Sequence, residues 1–68
     1  MSSRQLKNNL KMYRAKHGFT QESLAEKVFV ARKTINVIEA GNYSPSVVLA
    51  LAIAEALDEP VETIFYLD

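Results

Sequence analysis

From Gln21 to Ala40 the chain carries two short helical periodicities with about three residues between them, and few folds accept that spacing. Leu24, Ala25 and Val28 make the apolar stripe of one helix, and Ile35 and Ile38 that of the next, over residues 21–28 and 32–40. Such a helix-turn-helix leaves its second helix proud of the body, where it can enter the major groove of DNA. Short helix pairs are also common without any such role, so spacing alone leaves the question open.

Elsewhere apolar residues again recur at helical intervals, and no stretch alternates over the length of a strand. Leu6, Leu10 and Tyr13 fall at i, i+4 and i+7, predicting a first helix from about Arg4 to His17 that Gly18 ends. Thr20 is the expected cap of the second helix. Ser23, three residues on, departs from the Glu or Gln of a strict capping box. Gly41 closes the third helix. Ser44 as cap and Pro45 as first helical residue are expected to start a fourth, running to Leu57, and Pro60 to open a short fifth from Val61 to about Phe65. Phe65-Tyr66-Leu67 is expected to be extended or frayed. The fold class is therefore all-α, a compact bundle of four to five helices forming one domain over residues 1–68.

Bulk properties narrow the function. With 49% hydrophobic and 24% charged residues the chain is an ordinary globular one, and its 68 residues are few for a self-sufficient core. It has no cysteine, which excludes disulfides and thiolate metal sites. No apolar run reaches the roughly 18 residues of a membrane span and no signal peptide opens the chain, so a cytoplasmic location is expected. One histidine and scattered carboxylates offer no nucleophile–base pair or metal set, so neither enzyme activity nor a cofactor is expected. Net charge is zero, but its distribution is not even. Residues 2–17 hold five bases (Arg4, Lys7, Lys11, Arg14, Lys16) and no acid, whereas residues 40–68 hold five acids and no base. That pattern predicts one basic face and one acidic face, and a polyanion responds to local field rather than to the total.

Several spacings agree at once with a known pattern. Thr20-Gln21-x-x-Leu24-Ala25-x-x-Val28, then Arg32-x-Thr34-Ile35-x-x-Ile38-Glu39-x-Gly41, then Tyr43-x-Pro45-Ser46, resembles the Cro and phage-repressor (Xre-type) family of helix-turn-helix regulators. The resemblance covers roughly residues 6 to 65 and looks like the compact, single-domain type with a lambda-repressor-like fold. It implies a double-stranded DNA partner, a cytoplasmic, nucleoid-associated location and a regulator, expected to be a repressor, that reads a palindromic operator as a homodimer. No effector domain is expected, so control would fall to concentration, degradation or a partner. An antitoxin, or another protein-interaction module of the same fold with a toxin or co-regulator as partner, is the alternative.

The resemblance and the chemistry together nominate site residues. Gln21, at the start of the second helix, is expected to hold a phosphate with its amide and the exposed backbone N–H groups. Arg32 and Lys33 lie on the first turn of the third helix, where either can bridge guanine O6 and N7. Thr34, Asn36 and Val37 complete the reading surface, with Asn36 suited to adenine and Val37 to a thymine methyl. Asn42 and Tyr43 follow in the loop that meets the phosphate backbone in the family. Arg14 and Glu39 are expected to pair and set the angle between helices rather than touch DNA.

Two positions depart from the family. Phe29 stands where many relatives carry Gly in a left-handed conformation. Either the turn is remodelled, or strain is accepted because the ring packs on something; partial burial over the second helix is the expectation, a subunit contact the alternative. Ala31 replaces a usual Ser and removes a capping hydroxyl. The fourth helix is unusually apolar: if Val47, Ala50, Ile53, Ala54 and Leu57 face the core, then Val48, Leu51 and Ala52 face solvent. With Ile64, Phe65, Tyr66 and Leu67 they make an apolar surface too large for the domain to hide, so residues 46–68 are the expected dimerisation region.

Overall fold

Helix signals dominate the chain, and the computed structural model, which describes residues 3–68, accordingly has five helices and one small ribbon. In chain order these are β1 (Leu6–Asn8), α1 (Leu10–Lys16), α2 (Gln21–Lys27), α3 (Arg32–Glu39), α4 (Val47–Leu57), α5 (Val61–Ile64) and β2 (Phe65–Leu67). Leu10, Leu24, Ile35, Ile38, Ile53, Leu57 and Ile64 are the fully buried large side chains of a single core. Each contributes roughly 1.5–3 kcal/mol by leaving water. No described helix is long and apolar enough to cross a membrane.

The first helix is shorter than its periodicity suggests. Asn8 turns its side chain back so that Oδ1 accepts the Leu10 N–H at 3.1 Å, which starts the helix there. Leu6, the first member of the apolar series, lies 38% exposed on β1. β1 pairs antiparallel with β2, setting Leu6 opposite Leu67, Lys7 opposite Tyr66 and Asn8 opposite Phe65. The ribbon joins segments almost sixty residues apart, a pairing that local periodicity cannot reveal.

Two of the helices, α2 and α4, start on a hydroxyl cap. Thr20 Oγ1 accepts the Ser23 N–H and Ser23 Oγ accepts the Thr20 N–H, both at 2.9 Å. Serine therefore completes a reciprocal capping box in place of the longer acid or amide. The fourth helix starts two residues later than the Ser44-Pro45 reading: Ser46 is the cap, accepting the Leu49 N–H at 3.1 Å, and Val47 is the first helical residue. That shift leaves Val47 75% exposed rather than in the core. Pro60 caps α5, which ends at Ile64.

Helix ends share one device. After α1, α2, α3 and α4 a left-handed residue sends its own N–H, and that of its successor, back to carbonyls of the last turn. For α2 the bonds are Phe29 N–H to Glu26 O at 3.3 Å and Val30 N–H to Ala25 O at 3.0 Å. Glycine occupies the position in two cases, Gly18 at φ +78° and Gly41 at φ +80°. Asp58 and Phe29 occupy the others, at +53° and +61°. The turn is therefore not remodelled around Phe29. A non-glycine residue there costs about 1–2 kcal/mol, and Asp tolerates it better than an aromatic does. The ring also misses its expected seat over the second helix, being 93% exposed.

Charge segregation along the sequence does not become segregation in space. Lys16 Nζ lies 3.4 Å and His17 Nε2 2.9 Å from Glu59 Oε2, and Lys7 approaches Asp68 at 4.0 Å. The basic N-terminal segment thus meets the acidic C-terminal one instead of forming an opposite face. The His17 hydrogen bond, aided by the Lys16 charge, holds the Glu59 carboxyl below its ordinary value of 4.5. A depressed folded-state pKa stabilises the fold above the unfolded value, and that stabilisation is lost as pH falls through the folded one. Glu59→Gln is expected to be less stable than the wild type at pH 7. Denaturant melts at stepwise lower pH should show the gap closing below about pH 4.5.

Candidate nucleic-acid interface

The predicted reading residues are carried by the exposed side of α3 and by the start of α2. Ile35 and Ile38 anchor α3 in the core, which turns Arg32, Lys33 and Asn36 to solvent and leaves Thr34 and Val37 half-buried at the edges. Gln21, Arg32, Lys33 and Asn36 line one open groove on this surface. A second, more apolar groove on the other flank is lined by Ala31, Lys33, Thr34, Val37 and Tyr43. Seven of the eight nominated residues therefore meet on one continuous face, with Lys33 shared between its halves. Asn42 does not line either groove; it is exposed in the following loop, and its N–H closes α3 by bonding to Val37 O at 2.9 Å.

Among the described residues neither Arg32 nor Lys33 forms an ion pair. This matters more than the net charge. Three of the five N-terminal bases are paired with acids, while these two cations at the start of α3 are not. Ala31 caps α3 without a side-chain bond, so the first backbone N–H groups of the helix also lack a competing hydroxyl. The arrangement offers two long flexible cations, two amides, a hydroxyl, a valine and a phenol on one face, which suits base edges, thymine methyls and phosphates together.

The site is held from beneath by a part-buried network. Arg14 Nε donates to Glu39 Oε2 at 2.6 Å and its second terminal nitrogen to Oε1 at 3.3 Å, while Nη1 donates to Phe19 O at 2.9 Å. The pair expected from the sequence is therefore present, and it ties the end of α1, the α1–α2 link and the end of α3. Its acid has a further partner that the sequence reading missed: Gln21 Nε2 donates to Glu39 Oε1 at 3.0 Å. This bond occupies one amide proton of Gln21 and leaves its carbonyl oxygen and second proton for a ligand. Asn8 adds a second unforeseen support, donating to Ile38 O at 2.9 Å at the far end of α3. Neither bond has a local signature, since each spans 18 or more residues.

With side chains only 13% and 6% exposed, Arg14 and Glu39 cannot lose one member cheaply. Arg14→Ala should destabilise the domain by about 3–5 kcal/mol in urea unfolding, because it strands a buried carboxylate. Replacing both by Met should cost much less than the sum of the single changes, and additive losses would show that the two act separately.

Comparison with known proteins gives a consistent result. The helix-turn-helix family model matches residues 10–64. An uncharacterized HTH-type transcriptional regulator of Methanocaldococcus jannaschii is 52% identical over 60 residues, covering 88% of this chain and 91% of that protein. The restriction-modification controller protein C.AhdI from Aeromonas hydrophila superposes with a TM-score of 0.75 at 31% identity, over 79% of this chain and 82% of that one. The clp gene regulator ClgR from Corynebacterium glutamicum gives 0.74 at 31% identity; the match covers 76% of this chain but 55% of ClgR.

Proposed function

The chain belongs to the helix-turn-helix family, whose relatives here are named as transcriptional regulators rather than enzymes, and on that premise we propose that it binds double-stranded DNA in a sequence-specific way through α3. The observation that carries this reading is the groove in which unpaired Arg32 and Lys33 stand beside Gln21 and Asn36. Arg32 reads a guanine, Lys33 a guanine or an adjoining phosphate, and Asn36 an adenine. Val37 with the half-exposed Tyr43 packs on a thymine methyl and the sugar-phosphate edge. Gln21, steadied by Glu39, holds the phosphate at the start of α2. Asn42 contacts the backbone from the loop.

The functional unit of this reading is a twofold homodimer on a palindrome, with recognition helices about 34 Å apart. Support comes from α4, which is apolar nearly all round. Ile53, Ala54 and Leu57 fill the core, while Val48 and Leu51 are 79% and 52% exposed and Ala52 lies beside them. Tyr66 and Leu67 on β2 are exposed as well. Phe65 and Ile64 leave the expected interface, because both are buried in the core, 8% and 0% exposed. A dimer seated on a promoter excludes polymerase by occupancy, so the proposed outcome is repression, exerted in the cytoplasm on the nucleoid.

Selection of duplexes from a random library is expected to return a palindrome, bound with an affinity that falls steeply as salt rises; absence of enrichment would refute sequence-specific binding. On that duplex Arg32→Ala should cost about 1–3 kcal/mol and relax one base position while non-specific binding persists. Uniform weakening on all sequences would make Arg32 a phosphate contact. The pair Val48→Glu and Leu51→Glu should give monomers in sedimentation, whereas an unchanged dimer would move the interface off α4.

A further inference from the structure

Phe29 is the most exposed large apolar side chain among the described residues, and its backbone is left-handed. Nothing inside the chain accounts for either fact. A glycine would close α2 equally well without strain, and the ring shields no core residue. Backbone strain held at an exposed aromatic points to a task outside the fold.

The ring has a setting. Lys27, Val28, Phe29, Ala52, Glu55 and Ala56 line one open groove of about 470 Å³ between the α2–α3 turn and α4. Ala52 and Glu55 also belong to the outward stripe of α4, in which Val48, Leu51, Ala52 and Glu55 fall at i, i+3, i+4 and i+7. The groove that Phe29 borders therefore shares Ala52 with the outward stripe of α4 that carries Leu51 and Val48, and holds a cation and an anion, Lys27 and Glu55, in its wall.

We propose that Phe29 is the anchor of self-association: the ring of each copy packs into the groove between the α2–α3 turn and α4 of the other. The inference rests on the dimer reading above and names the residue that makes that dimer. A second copy fits because the patch is its own complement. A twofold axis sets a surface against itself, so every knob must find a hollow and every charge its opposite within the same patch. Here Phe29 is the knob, and the small side chains of Ala52 and Ala56 leave the hollow. Lys27 and Glu55, which form no ion pair within the described chain, then meet across the axis as two equivalent pairs. A central aromatic ringed by polar groups is the usual form of an interface anchor. DNA suits the patch poorly, since Glu55 stands in its wall.

Phe29→Gly is the direct test, because glycine accepts the left-handed turn and the helical spectrum should be retained. Sedimentation equilibrium is expected to show dimer dissociation at least ten-fold weaker than in the wild type. Lys27→Glu and Glu55→Lys should each weaken the dimer, and the two together should restore it. If Phe29→Gly dimerises like the wild type while Val48→Glu with Leu51→Glu gives monomers, the α4 dimer stands and the Phe29 anchor is refuted. A wild type that stays monomeric at all concentrations overturns both readings. So does an intact dimer in every variant that loses binding to a different protein, which would assign the patch to that partner.

Discussion

The bidentate contact between Arg14 and Glu39 is the interaction on which the working face depends. Glu39 ends α3 and Gln21 begins α2, so a single carboxylate fixes the two elements that carry the nominated ligand contacts. Burial makes the arrangement strict. A half-hydrated carboxylate could turn between partners, but one that is 6% exposed must satisfy its oxygens from the donors aimed at it. Arg14 directs a further donor, Nη1, to Phe19 O, in the link between α1 and α2. A planar fork with donors on two edges can hold three segments in fixed relation, which lysine could not do. Such a pair contributes little net stability; what it supplies is geometry.

This network also bears on how a chain of zero net charge can present two cations on the proposed reading face. Part of the charge is paired directly, Arg14 with Glu39, Lys16 and His17 with Glu59, Lys7 with Asp68. Arg32 and Lys33 are outside these pairs, and Glu39, the acid at the other end of their helix, is occupied by Arg14 and Gln21. At the start of α3, Arg32 and Lys33 form no ion pair among the described residues, and the acid that shares a groove with Arg32 on that face is Glu22.

How far the sequence reveals this molecule depends on how local each interaction is. The stripes Leu24-Ala25 and Ile35-Ile38 report burial directly, and both prove to be core. From them follows which face of α3 points outward, so seven of the eight nominated residues, all but Asn42, come together on one surface. Signals failed where a partner is distant or where two local rules compete. Leu6 fits the helical period of Leu10 and Tyr13, but Asn8 restarts the chain and β2 claims the segment as a strand. Ser44-Pro45 reads as a helix start, yet Ser46 caps better because its hydroxyl reaches the Leu49 N–H. Val47 then stands at the exposed first position of the helix, outside the core. Gln21–Glu39 and Asn8–Ile38 bind residues remote in sequence, and no spacing rule anticipates them.

Phe29 shows the opposite case, in which the sequence correctly marks an anomaly whose cause lies beyond one chain. Four helices end on the same left-handed turn, and the turn geometry is imposed by their last carbonyls rather than chosen by the residue. Asp58 fills it with a short polar side chain and Gly18 and Gly41 with none, each at low cost. Phe29 bears the steric penalty and exposes an aromatic ring besides, two costs that the fold alone does not offset. A domain of this size has little stability to spare. The same domain leaves the outer side of α4 apolar, and the two features adjoin at Ala52. Local strain and unburied apolar surface are then one problem with one solution, a second apolar surface placed against both at once.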